Sequence, residues 1–156
     1  MKIKLLVMDV DGTLTDGKIY IGPAGEAVKA FYAQDGCGIV AARRAGVVPV
    51  IITGRRSEIV ARRAEELGVT ELYQGETDKL TRLRAVAAQY GASPAEIACI
   101  GDDLNDLPML AYAGVTACPR DAAAEVREAV GFVCPRNGGA GAVRDFIDLL
   151  RREGGL

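Results

Sequence analysis

The chain has 156 residues, 49% hydrophobic and 26% charged, which fits one globular domain over residues 1–156 with a single sizeable core. A formal net charge of −2 and a pI near 5.3 exclude a general attraction to nucleic acid or to an anionic membrane surface, so any anionic ligand must be held by a few placed groups. Histidine is absent, which removes the commonest zinc ligand and the commonest general base.

The first element is an apolar run from Ile3 to Met8, stopped by Asp9 and too short for a secretory signal core. No later run reaches the length of a membrane span, so a cytoplasmic protein with no membrane partner is expected. Lys18 to Ile21 and Ala27 to Tyr32 then read as two strands around the turn Gly22-Pro23-Ala24-Gly25, a hairpin flap over about 18–32 inserted directly after the first strand. Further strands are predicted at Val48 to Ile52, Ile97 to Ile100 and Val115 to Ala117, with shorter pieces near Leu72 and Phe132.

Between them, Leu80, Leu83, Ala87 and Tyr90 recur at helical spacing, and Ser93-Pro94-Ala95-Glu96 reads as a capped helix start. A last helix near 141–152 buries Val143, Phe146, Ile147 and Leu150. Alternation of this kind predicts a three-layer, Rossmann-like α/β fold with a central parallel sheet. Cys37, Cys99, Cys118 and Cys134 are widely spaced, without a Cys-x-x-Cys pair, and are expected as buried thiols in a reducing compartment.

Ligands of an open parallel sheet bind beyond the carboxyl ends of its strands, and four such positions carry polar groups of complementary kinds. Asp9 and Asp11 follow the first strand on one side of it, with Gly12 after them to permit a sharp turn. Thr53-Gly54-Arg55 follows the strand at 48–52 and offers a hydroxyl and backbone N–H groups at a helix start. Lys79 opens the helix that buries Leu80 and Leu83; taken alone it reads as a solvated surface lysine. Gly101-Asp102-Asp103-Leu104-Asn105-Asp106 follows the strand at 97–100 and taken alone is equally a solvated, capped turn. Together, two acidic clusters at strand ends call for a hard cation with oxygen ligands, most simply Mg²⁺, and Thr53 and Lys79 supply donors to an anionic oxygen group. Charge neutralisation, positioning and a nucleophile are what phosphoryl transfer requires.

In their order and placement, Asp9-Val10-Asp11-Gly12-Thr13, Thr53-Gly54-Arg55, Lys79 and the 101–106 segment resemble the four motifs of the haloacid dehalogenase superfamily. More narrowly, Asp9 to Gly17, Phe31 to Gly38, Leu72 to Gly75 and Gly138 to Arg144 resemble the 3-deoxy-D-manno-octulosonate 8-phosphate phosphatase group, over nearly the whole chain. The resemblance implies that Asp9 is the nucleophile that becomes aspartyl-phosphate, and that Asp11 serves the leaving oxygen as general acid and then water as general base. It implies Mg²⁺ held by Asp9, the backbone carbonyl of Asp11 and Asp102, with Asp103, Asn105 and Asp106 in supporting positions. Thr53, Gly54 and Lys79 would hold the phosphate.

Neither the stretch from Gly12 to Asp35 nor that from Arg55 to Asp78 has room for a typical cap domain, so the site should be open in the monomer. The resemblance then implies a homotetramer in which flaps and neighbouring subunits complete each site around a small phosphorylated sugar acid. Arg55 and Arg63 match arginines of the group and are candidates for the sugar carboxylate, although Arg63 equally reads as one of the solvated helix charges around it. The chain departs from the group at Ala140, where many members have Arg, and at Leu156, where some relatives continue into a tail. Both departures bear on which sugar acid is bound.

Three other readings compete. A phosphatase for a nine-carbon sugar acid phosphate keeps the chemistry, but such relatives often have Glu after Thr-Gly where this chain has Arg55. A non-catalytic oligomerisation module predicts eroded motifs, whereas Asp9, Asp11, Lys79 and Asp102 are all present. A phospho-accepting receiver domain shares acidic, Thr and Lys groups around Mg²⁺ but lacks the Asp-x-Asp-Gly loop.

Overall fold

In the computed structural model, which describes residues 2–156, the strand Leu5–Met8 (β1) is buried at every residue and so occupies the middle of a sheet covered on both faces. Its alternate side chains feed two cores. Leu6 and Met8 pack with Ile39, Val60, Ala64, Val143, Phe146 and Ile147, whereas Leu5 and Val7 pack with Leu83, Val86, Met109 and Val126.

After β1 come a hairpin of Tyr20–Gly22 (β2) and Gly25–Val28 (β3), the helix Ala33–Arg44 (α1), the strand Val48–Ile52 (β4) and the helix Glu58–Leu67 (α2). Glu71–Tyr73 (β5) and Lys79–Gln89 (α3) follow, then Ile97–Ile100 (β6), Leu107–Tyr112 (α4), Val115–Cys118 (β7), Ala124–Ala129 (α5), Phe132–Val133 (β8) and Ala142–Arg152 (α6). The six-stranded sheet runs β5-β4-β1-β6-β7-β8 with every pair parallel. Helices α1, α2 and α6 cover one face and α3, α4 and α5 the other, giving the three layers that the alternation predicts. The chain works outward from β1 to β5 on one side and from β6 to β8 on the other. The direction reverses between β1 and β6, and a crevice opens there at the carboxyl ends of the strands.

The hairpin is shorter than its sequence pattern. Its ladder ends at Val28 with a bulge beside Tyr20, and residues 29–32 continue unpaired, because Lys29 turns its side chain into the site. Ser93-Pro94-Ala95-Glu96 is not the start of a helix. The backbone N–H of Ser93 donates to Glu96 as a capping box requires, at 2.9 Å, but the box closes only one 3₁₀ turn before the buried run of β6 takes over. Cys99, Cys118 and Cys134 are buried thiols, whereas Cys37 is exposed on α1, where its neighbours Gly36 and Gly38 are the residues that face the core.

Candidate active site

The Asp9 backbone still donates to Ile100 of β6, at 3.2 Å, so its carboxylate is delivered to the reversal point by the sheet itself. Beyond it the backbone N–H groups of Thr13, Leu14 and Thr15 all converge on the carbonyl of Val10. Gly12 makes that curl possible in two ways. Its φ is +92°, and a Cβ there would lie 2.0 Å from Asp102 Oδ2. The loop is locked to the β6 side by Thr13, whose hydroxyl donates to Asp102 at 2.9 Å.

Lys79 is not a solvated surface lysine: it is only 3% exposed. Asp78 caps α3 by accepting from the Thr81 N–H, and the helix thereby directs Lys79 inward, where Nζ donates to Asp9 at 2.9 Å and to Asp106 at 2.7 Å. Asp106 is fully buried, and its second oxygen accepts from the N–H groups of Asp102 and Asp103, at 2.9 and 3.3 Å. Carboxylate oxygens of Asp9, Asp102 and Asp106 come within 4.8 Å of one another. One lysine cannot neutralise three carboxylates. Burial first, and then the neighbouring Asp9, accordingly push the Asp102 carboxyl up to about 9, and burial with the charge of Asp106 raises Asp9. A divalent cation would relieve this excess charge, so the donor set fits Mg²⁺.

Above the cluster, Asp9, Asp11, Thr53, Gly54, Arg55, Lys79, Asp103 and Asn105 line a cleft of about 180 Å³. Thr53 is buried at the end of β4, its N–H donating to Tyr73 and its carbonyl accepting from Glu76, at 2.9 and 3.1 Å. Thr53, Gly54 and Arg55 do not form the first turn of a helix. Helix α2 begins at Glu58 with Ser57 as its cap, leaving these three in the strand-to-helix loop. Gln74 fixes that loop by bonding both the N–H and the carbonyl of Ser57, at 2.8 and 3.1 Å.

Arg63 lies outside this cleft. On α2 its guanidinium pairs with Glu66 at 2.8 Å and stacks over Phe31 at 5.6 Å, and a Cβ on Gly36 would meet it at 2.5 Å. It lines a separate cavity with Asp35, where Arg63 Nε and Asp35 Oδ2 are buried without partners among the described residues. The other oxygen of Asp35 accepts the Arg144 N–H at 2.9 Å, yet burial still pushes the carboxyl up to about 6.

No motif in the sequence marks Lys29. Its side chain, only 2% exposed, reaches from the flap to Asp11 at 2.5 Å and to Glu26 at 3.1 Å, and Glu26 in turn accepts from the hydroxyl of Ser57. A lone Lys in an extended run carries no pattern by which to find it. The Gly138 to Arg144 segment also acquires a place: a Cβ on Gly138 would lie 2.0 Å from the Gly12 carbonyl oxygen, so this loop braces the Asp9–Asp11 turn from behind. Ala140 is exposed at its tip.

Known proteins share both sequence and fold. Residues 57–147 match the haloacid dehalogenase-like hydrolase family. The 3-deoxy-D-manno-octulosonate 8-phosphate phosphatase of Yersinia pestis is 42% identical over 95% of this chain and 79% of its own. The cobalt-bound deoxy-D-mannose-octulosonate 8-phosphate phosphatase of Haemophilus influenzae superposes with a TM-score of 0.94 at 37% identity, covering 98% of this chain and 90% of that one. The Moraxella catarrhalis 3-deoxy-D-manno-octulosonate 8-phosphate phosphatase, solved with magnesium, phosphate and KDO, gives 0.93 at 41% identity, covering 96% and 86%. With its Asp-x-Asp loop, buried lysine and acidic cluster assembled at one reversal point, the chain belongs to the haloacid dehalogenase-like hydrolase family.

Proposed function

We propose that the protein is a Mg²⁺-dependent phosphatase that hydrolyses 3-deoxy-D-manno-octulosonate 8-phosphate to the sugar acid and phosphate. The observation that carries this reading is the cluster of Asp9, Asp102 and Asp106 around one buried Lys79, opening into a cleft that also holds Thr53 and Arg55. The similarity to octulosonate 8-phosphate phosphatases over most of the chain supports the substrate.

Asp9 attacks phosphorus and carries it as aspartyl-phosphate, so that one difficult hydrolysis becomes two transfers. Lys79 and the Thr53 hydroxyl, with the Gly54 N–H, take the non-bridging oxygens. Lys79 is already desolvated and anchored by Asp106, so little reorganisation is needed as charge develops. Asp9, Asp102 and the Asp11 carbonyl would hold Mg²⁺, which when bound neutralises charge on the nucleophile and the transferring group. Asp103 and Asn105, exposed at the rim, and Asp106 beneath it support that set. Asp11 protonates the leaving sugar oxygen and then activates water. Arg55, exposed at the mouth of the cleft, meets the sugar carboxylate.

The described residues form one sheet with its flap and no cap, which supports reading the chain as one phosphatase domain with an open site. Tyr20, Ile21 and Val28 expose apolar surface on the flap, and Arg63 faces away from its own cleft; both suit a cytoplasmic homotetramer in which neighbours complete each site. No described helix is long and apolar enough to cross a membrane. Phosphate release measured across sugar acid phosphates, ordinary sugar phosphates and nucleotides, with Mg²⁺ and with a chelator, tests the proposal. Preference for the octulosonate substrate and silence with chelator are expected; equal rates on all three classes would overturn the substrate, and chelator-insensitive turnover the metal. Sedimentation of a fully active monomer would overturn the shared site.

A further inference from the structure

Asp9, Asp102 and Asp106 at the reversal point are held from the first turn of α3 and from the turn that follows β1. Asp9 and Asp106 share Lys79, and Asp102 accepts from Thr13. Asp11 is held differently: among the described residues, its carboxylate is bonded by the side chain of Lys29, on the segment leaving the flap. Lys29 is itself anchored by Glu26, and Glu26 by the Ser57 hydroxyl at the cap of α2. The chain Asp11, Lys29, Glu26, Ser57 therefore joins the Asp9–Asp11 loop, the flap and the loop that carries Thr53 to Arg55.

We infer that Lys29 is a positioning residue for Asp11: by engaging Oδ1 it leaves Oδ2 as the oxygen aimed at the leaving group. The bond asks only for an acceptor at Oδ1, so it persists whether Oδ2 carries a proton for the departing oxygen or takes one from water. Glu26 keeps the ammonium in place, and the Ser57 contact sets the flap relative to the phosphate-binding loop. The orientation of Asp11 then depends on the seating of the flap, while Asp9 and Lys79 do not move with it. The inference rests on the proposed acid–base role of Asp11, and its test separates the two.

The experiment compares an alkyl sugar phosphate, whose leaving oxygen needs a proton, with an aryl phosphate such as 4-nitrophenyl phosphate, whose leaving group does not. Lys29→Met should lower kcat/KM, which does not include the aspartyl-phosphate hydrolysis common to both substrates, about 30–100-fold on the alkyl substrate and less than about 3-fold on the aryl substrate, with Lys29→Arg recovering part of the loss. In the double variant Asp11→Asn/Lys29→Met, removal of Lys29 should add less than about 3-fold to the loss from Asp11→Asn alone. An unchanged leaving-group profile in Lys29→Met, or additive losses in the double variant, overturns the inference while the Asp11 role stands. Full alkyl-phosphate turnover by Asp11→Asn overturns the Asp11 role, and the inference with it. Should Lys29→Met fail to fold, Glu26→Gln is read on the same two substrates, with a smaller loss on the alkyl substrate alone as the supporting result and equal losses on both as the overturning one.

Discussion

Two lysines reach the carboxylates of this site, and they stand on different ground. Lys79 comes from the first turn of α3 and is sealed between Asp9 and Asp106, with 2% of its side chain exposed and its partners 8% and 0% exposed. Lys29 comes from the end of a two-stranded flap, and its partners Asp11 and Glu26 keep 19% and 17% of their side-chain surface in solvent. In the proposed mechanism the charges around the reacting phosphorus are thus built into a three-layer core, while the group proposed to face the departing alcohol is held from a hairpin with little core of its own. A phosphatase can keep its phosphoryl-transfer machinery rigid and still let the leaving-group side adapt, because the two lysines hang from elements of different stability.

The comparison can be broken at its most rigid point first. Asp9→Asn should lower turnover by about 10⁴-fold or more with the fold retained, because an amide in that position is no oxygen nucleophile; substantial residual activity, measured by phosphate release, would remove Asp9 from that role. Lys79→Met leaves Asp9 and Asp106 facing each other without a counter-charge. The expected loss of stability, read by urea unfolding without metal, is about 3–5 kcal/mol, against on the order of 1 kcal/mol for Lys29→Met, whose partners are partly exposed. Equal losses would erase the distinction between core and flap.

Mg²⁺ sharpens the contrast. At a hundredfold excess over its dissociation constant it should stabilise the protein by about 2.7 kcal/mol, raising Tm by roughly 2–4 °C for each of those kcal/mol. Lys29→Met should keep that shift and Asp102→Asn should lose most of it; the reverse pattern would place the cation on the flap side.

A pH-dependent effect arises at Asp35, in the cavity it shares with Arg63. Asp35 has its folded carboxyl at about 6 against an ordinary 3.8, so the folded state holds the proton more tightly than the unfolded one. Stability from this group is fully present below about pH 4 and is lost as pH rises through about 6, by roughly 2–3 kcal/mol in all. Asp35→Asn preserves the acceptor for the Arg144 N–H and should flatten that slope. A variant that retains the slope would assign it to other groups.

The sequence made the sheet legible because its strands are short apolar runs. Val48–Ile52 and Ile97–Ile100 end where the pattern ends them, since each is stopped by a polar or glycine residue at the crevice. Boundaries failed where local chemistry pointed one way and the tertiary structure another. The capping box at Ser93 to Glu96 is real, but the run after it is drawn into the sheet; the flap pattern extends beyond Val28, but Lys29 leaves the ladder for Asp11. Among the candidate site residues, those immediately following strands came together, because a parallel sheet gathers the ends of its strands at one edge. Arg63 did not join them, because α2 carries it away from the crevice toward Phe31 and Glu66.

By itself, then, the sequence determined the alternation of strands and helices and the acidic residues at two strand ends, since these are written in local pattern and spacing, and the resemblance of its motifs pointed to Asp9 as the candidate nucleophile. Only the tertiary structure decided that Lys79 is buried and shared, that Asp106 lies within the acidic cluster, and that Lys29 reaches Asp11. Those are contacts between residues far apart in the chain, and which of them form depends on how the layers pack.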